Sequence, residues 1–169
     1  SPVAQPPVTH STYLQLQNLN NTAEHGLIEL VLDPAFATNN YFYVYYSTTS
    51  DKNRVSRFVH LGDSASLLSE TVIFETSDPF TNCCHIGGAM AFANDGTMFL
   101  AIGDDFIPAL AQDLGSSYGK VHRFTSTGGV PTNNPVLAEM IVRRTPIIGE
   151  LELGFQHAHC LHIAISGTN

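Results

Sequence analysis

Short runs rich in β-branched and aromatic residues recur along this chain, and almost nothing in it repeats with a helical period. They read YFYVYYST (41–48), RVSRFVHL (54–61), TVIFET (71–76), AMAFA (89–93), TMFLAIG (97–103) and KVHRFT (120–125). Between them lie segments of turn chemistry such as DPAFATNN, ANDG, STGG and PTNNP. Glycine and asparagine there accept positive φ and proline fixes φ, so each segment ends a strand rather than extending it. Strands every 8–15 residues with this punctuation predict an all-β fold: a sandwich, a barrel or a propeller. A helical turn is expected only within 108–119, and 62–70 reads as a loop between strands.

A weak internal repeat favours the propeller. GLIELVLDPAFATNNYFYVYYS begins at Gly26 and GGAMAFANDGTMFLAIGD at Gly87; a degraded third copy starts near Leu153. Each reads glycine, apolar strand, turn with Asp or Asn, second apolar strand. Starts about sixty residues apart suit blades with long connections, somewhat beyond the about 40–50 residues of compact blade families.

Composition narrows the function classes. Of 169 residues, 43% are hydrophobic and 13% charged, enough for a core and too little charge for a disordered or coiled-coil chain. The formal charge of −8 argues against nucleic acid and against an anionic membrane surface, both of which need a basic face. No run of eighteen apolar residues exists to span a bilayer. The polar, proline-rich start SPVAQPPVTH, the sequon Asn20-Asn21-Thr22 and the scarcity of lysine suit a secreted, extracellular or periplasmic protein. Of the cysteines, Cys83 and Cys84 are adjacent; they can pair with each other, one can pair with Cys160, or all can be buried thiols.

The chemistry concentrates in NCCHIGGAMAFANDGTMFLAIGDD, residues 82–105. Asp-Gly within 93–96 is a two-residue hairpin signal, which makes the flanking segments neighbouring strands. A hairpin returns the chain to the end where it began, so His85 and Asp104 are expected side by side on one rim. A carboxylate beside an imidazole selects one tautomer and raises the basicity of the other ring nitrogen, which is what a general base needs. Gly87 and Gly88 are expected to let the backbone approach a flat ligand. The plainer alternative is a His–Asp pair that only ties strand ends together.

These stretches resemble the soluble sugar dehydrogenases that use pyrroloquinoline quinone (PQQ), the glucose/sorbosone or aldose sugar dehydrogenases, with hedgehog-interacting-protein-like relatives. EHGLIELVLDPAFATNNYFYVYYS is similar to that family's E-x-G-L-L-x-L-x-x-x-P-x-F-x-x-N run, and RVSRF to the strand after it. HIGGAMAFANDGTMFLAIGDD resembles its H-x-G-G-x-L-x-F-G-P-D-G segment, and AQDLGSSYGKVHRFTSTGGVPTNNP its A-Q-(D/N) to N-P segment. Four ordered motifs across 24–135 carry the match. The resemblance implies a six-bladed quinoprotein propeller that oxidises the anomeric carbon of aldoses, passing a hydride to the quinone beside a bound calcium. It places His85 on the general base, Asp104 on its paired aspartate, and Glu24 on a polar position near the quinone. About half the ring, two to three blades, is then expected in residues 24–169, with 1–23 an N-terminal extension and first strand.

One motif departs from the family. Where L-G-x-R-N-P is expected the chain has LGFQHAHCL, so Gln156 stands for the quinone-binding arginine and His157 for the asparagine. Neutral glutamine lacks the guanidinium's charge and fork of donors, so retention of the anionic cofactor is in question. His157, His159, Cys160 and His162 are weak candidates for a transition-metal site, because an extended chain splits them between two faces. The expected function is therefore a divergent sugar dehydrogenase, inactive as this isolated chain. The alternative is a non-catalytic extracellular binding protein, or one that self-associates through exposed blade edges.

Overall fold

The structure is a computed structural model that describes residues 10–134. Gln156, His157, His159, Cys160 and His162 lie outside the described residues. Among the described residues, seven strands form two antiparallel meanders. The first sheet runs in sequence order through β1 (Leu27–Leu32), β2 (Tyr41–Ser47), β3 (Asn53–Val59) and β4 (Thr71–Glu75). The second comprises β5 (Gly87–Phe92), β6 (Thr97–Ile102) and β7 (Lys120–Thr125). Among the described residues, helix is limited to the four-residue α1 (Phe36–Asn39) and α2 (Ala109–Gln112) and a 3₁₀ turn at Leu67–Ser69. Up-and-down sheets that follow one another along the chain are the blade pattern of a propeller.

β2 explains why the first sheet is stable. It is a central strand, with Val44 opposite Leu30 on one side and Ser56 on the other. Its side chains alternate between two buried faces, which is why YFYVYYS reads as an unbroken apolar run. Phe42, Val44 and Tyr46 join Phe58 under a cover of Leu14, Leu16, Leu19, Phe36 and Leu67. Tyr43 and Tyr45 join Val55, Ile73 and Phe74 on the opposite face. There they meet Met90, Met98, Leu100, Ile102 and Phe124 of the second sheet. Burying a side chain of this size contributes about 1.5–3 kcal/mol, so this interlayer core is the main force joining the sheets.

The buried tyrosines satisfy their hydroxyls at specific places. Tyr45 donates to the Ile86 carbonyl at 3.1 Å, so the first sheet grips the residue after His85. Tyr43 donates to Asp33 Oδ2 at 2.9 Å, and its hydroxyl pKa is pushed up to about 12 by burial and then by that carboxylate. His122, in the middle of β7, donates from Nε2 to the Ser117 carbonyl at 2.8 Å and lies tilted at 49° against the Phe74 ring, with centroids 4.8 Å apart. Burial lowers its pKa to about 4, so it is neutral in the folded protein at pH 7.

Two local expectations are corrected. The β5–β6 turn has positive φ at Gly96 alone, with Gly96 N–H bonded to the Ala93 carbonyl at 3.0 Å and Ala93 N–H to the Thr97 carbonyl at 2.8 Å. That is a longer hairpin loop ending on a left-handed glycine, not the two-residue form. Asp95 closes it by accepting from the Thr97 N–H at 3.0 Å and the Thr97 hydroxyl at 2.7 Å. Nor do Gly87 and Gly88 open space for a ligand. A Cβ on Gly87 would lie 2.6 Å from Gly103 N, and one on Gly88 would lie 2.5 Å from the Ile28 side chain and 2.8 Å from Tyr45. Their role is close packing of β5 on β6 and on the first sheet.

Candidate active site

The site sits where β5 begins and β6 ends. Gly87 pairs with Ile102, so the residues just outside that pair, His85–Ile86 and Gly103–Asp104, face each other across the hairpin's open end. Gly103 makes the approach possible. A Cβ there would stand 1.9 Å from the His85 carbonyl oxygen and 2.6 Å from its carbonyl carbon. Only glycine lets the two backbones come this close.

His85 Nδ1 lies 2.7 Å from Asp104 Oδ1, and both side chains are partly shielded from solvent. With Nδ1–H donated to the carboxylate, Nε2 carries the lone pair and makes no hydrogen bond among the described residues. Asp104 Oδ1 also accepts the Phe106 N–H at 3.1 Å, which fixes the carboxylate. His85 itself has φ 62°, a left-handed conformation that needs outside support in a non-glycine residue. Glu24 supplies it: Oε2 accepts the His85 N–H at 2.8 Å, and the Glu24 N–H reaches the Cys83 carbonyl at 3.3 Å.

The segment leading to His85 is anchored twice more. The buried Asp105 accepts the Thr81 N–H at 2.7 Å, the Thr81 hydroxyl at 2.9 Å and the Asn82 N–H at 3.2 Å. His25, stacked on Phe80 with centroids 4.0 Å apart, donates from Nε2 to the Asn82 carbonyl at 3.0 Å. Within the segment Cys83 and Cys84 are joined as a vicinal disulfide, which resolves the pairing left open by the sequence. The structure thus brings His85, Asp104 and Glu24 together. Asp105, His25, Gly103 and Phe106 escaped the sequence reading. The run Gly-Asp-Asp-Phe directly after an apolar strand, with no asparagine or second glycine to make a relaxed turn, was the available signal.

Residues 5–146 match the model of the family described as Glucose / Sorbosone dehydrogenase. The chain belongs to this family. Aldose sugar dehydrogenase YliI of Escherichia coli is 31% identical over 118 residues, covering 68% of this chain and 32% of that protein. The apo-form crystal structure of the soluble aldose sugar dehydrogenase from Escherichia coli superposes with TM-score 0.72 at 25% identity, over 81% of this chain and 41% of that one. The PQQ-bound aldose sugar dehydrogenase of Streptomyces coelicolor gives TM-score 0.63 at 27% identity, over 71% and 36%. The chain spans about a third (32%) of the length of the curated relative. PQQ is therefore a cofactor found within this glucose/sorbosone dehydrogenase family.

Do the described residues fit such an anionic quinone? The charged side chains gathered at the rim are carboxylates: Glu24, Asp104 and Asp105. The described cations are engaged elsewhere. Lys52 binds the Thr76 and Ser77 carbonyls, Arg54 binds Glu75, and Arg57 lies over the Tyr41 ring. Lys120 binds the carbonyls of Leu110, Ala111 and Tyr118, and Arg123 binds Asp95. The spaces beside Gly87 and Gly88 are filled by protein. The described residues do not by themselves fit the cofactor; what they place at the rim is an imidazole paired with a carboxylate, and a second carboxylate on the His85 backbone. Among them no group of three or more His, Cys, Asp or Glu side chains converges to hold a metal ion, and no helix is long and apolar enough to cross a membrane.

Proposed function

We propose that this chain is the proton-handling part of a sugar dehydrogenase, with His85 as general base and Asp104 as the residue that orients it. The observation that carries this reading is the 2.7 Å His85–Asp104 pair, whose Nε2 is left without a partner among the described residues. Asp104 holds the tautomer with the proton on Nδ1 and stabilises the imidazolium that forms when Nε2 accepts a proton. The proton comes from the anomeric hydroxyl of an aldose, the substrate class named for the Escherichia coli relative. Glu24 holds the His85 backbone, and its second carboxylate oxygen, unbonded among the described residues, is available to a ligand.

In this reading the two sheets are successive blades of a six-bladed ring, about half of which lies in residues 24–169, with 1–23 as an extension. An extracellular or periplasmic location belongs to the same proposal; PQQ and calcium are what the family resemblance implies, and Gln156 in place of the expected arginine, together with the carboxylate rim, argues against their retention by this chain alone. The Cys83–Cys84 disulfide supports the location, since disulfides persist in oxidising compartments.

The test is turnover by the full natural chain supplied with PQQ, calcium, D-glucose and an artificial electron acceptor. His85→Ala is expected to lower kcat by about 10²–10⁴, the range ascribed to a positioned base. Activity that survives His85→Ala would refute the base. A full chain that binds sugar without oxidising it would favour the non-catalytic relative, which the carboxylate-only rim also suits.

A further inference from the structure

The turn after β6 contains a strained residue that its own packing does not explain. Asp105 and Phe106 occupy the two central positions at φ 55° and 61°, and the Ile107 N–H closes the turn on the Asp104 carbonyl at 2.9 Å. This primed geometry ordinarily falls to glycine, asparagine or aspartate, and a bulky side chain there is a clear outlier. Asp105 has its compensation in the hydrogen bonds from Thr81 and Asn82. Phe106 has no comparable one. Its side chain is absent from both apolar cores and 61% exposed. Its one ring contact among the described residues is with the His85 imidazole, edge-on at 63° with centroids 4.8 Å apart.

A backbone outlier that places a large apolar ring in the open, against the residue proposed as base, points to a role in function rather than in folding. We propose that Phe106 is an aromatic wall that orients the substrate: its open face takes the C–H face of a pyranose ring and turns the anomeric hydroxyl toward His85 Nε2. This rests on the sugar-dehydrogenase reading of the site and adds a specificity residue to it. A pyranose is amphipathic, with hydroxyls around its edge and aliphatic hydrogens on its faces. The negative face of an aromatic ring suits those hydrogens, while Glu24 and the free imidazole nitrogen suit the hydroxyls. Binding sites commonly combine an apolar wall with a few placed polar groups in this way. The Phe106 N–H on Asp104 Oδ1 ties the wall to the same carboxylate that orients the base.

Phe106→Gly tests this without endangering the fold, because glycine accepts the φ of 61°. Binding of D-glucose to the full natural chain is followed through the NMR signal of the His85 imidazole, and KM is measured alongside. Phe106→Gly is expected to weaken binding and raise KM roughly five-fold, the scale of one aromatic contact, while Phe106→Tyr stays within about two-fold. Glycolaldehyde, which has no ring face, should be handled equally by all three proteins. D-glucose binding unchanged in Phe106→Gly would overturn the wall, and so would an equal loss in Phe106→Tyr. A lower melting temperature with unchanged binding would assign the ring to packing against other protein and overturn it too. His85→Ala separates the two readings. If it abolishes turnover while Phe106→Gly binds normally, only the wall falls. If turnover survives it while Phe106→Gly loses affinity, only the base falls.

Discussion

The first sheet and the rim around His85 are held together by different means. In the sheet, β2 buries aromatic side chains on both faces, and its stability is spread over many interchangeable apolar contacts. At the rim, three residues in left-handed conformations (His85, Asp105, Phe106) are kept in place by a few directional bonds from Glu24, Asp104 and Asp105. Packing tolerates exchange of one apolar side chain for another of similar volume. A strained backbone tied by single carboxylates does not. The difference shows where the molecule gains stability and where it spends some on geometry.

That division can be broken from either side. In the sheet, Phe58→Ala removes a fully buried ring stacked on Phe42 and should cost about 3–5 kcal/mol in denaturant unfolding. The molecules that remain folded should keep their sugar kinetics; lost activity per folded molecule would mean the two regions are not separable. A pH titration of stability sharpens the comparison next. His122 titrates near 4 when folded and near 6.5 when unfolded, so between these values the unfolded chain binds more protons and stability falls as pH is lowered. The full loss, reached below pH 4, is on the order of 3 kcal/mol, and His122→Gln should flatten the urea midpoint across that window. At the rim, Gly103→Ala forces a Cβ against the His85 carbonyl and should displace the imidazole from Asp104. Turnover per folded molecule in the full natural chain is expected to fall by about 10², because misplacing a group at the reacting centre by an ångström suffices for that loss. Unchanged kcat in Gly103→Ala would show that the close approach serves the hairpin alone.

Legibility followed the same line. β2, β3, β4, β6 and β7 lie close to the apolar runs because burial imposes a two-residue alternation, or a continuous run where both faces are covered. The meeting of His85 with Asp104 followed from hairpin closure, a local property, although the loop type was read too short. The glycines were read on the wrong residues. Gly87, Gly88 and Gly103 look alike in a sequence, and only the packed backbone shows that Gly103 admits His85 while the other two admit strands and side chains. Asp105 was not readable as a turn residue, because its conformation is imposed by partners at Thr81 and Asn82, some twenty residues upstream, and Phe106 beside it carries no turn signal of its own.

The bonds from Thr81 and Asn82 to Asp105 bear on the order of assembly. The three donors can find that carboxylate only after the intervening hairpin has zipped from its tip, so the segment carrying His85 is among the last parts of the second sheet to lock. Refolding followed by amide exchange would then show protection arising at Phe92 and Met98 before it reaches Asn82 and His85, so the His85–Asp104 pair would form late and all at once.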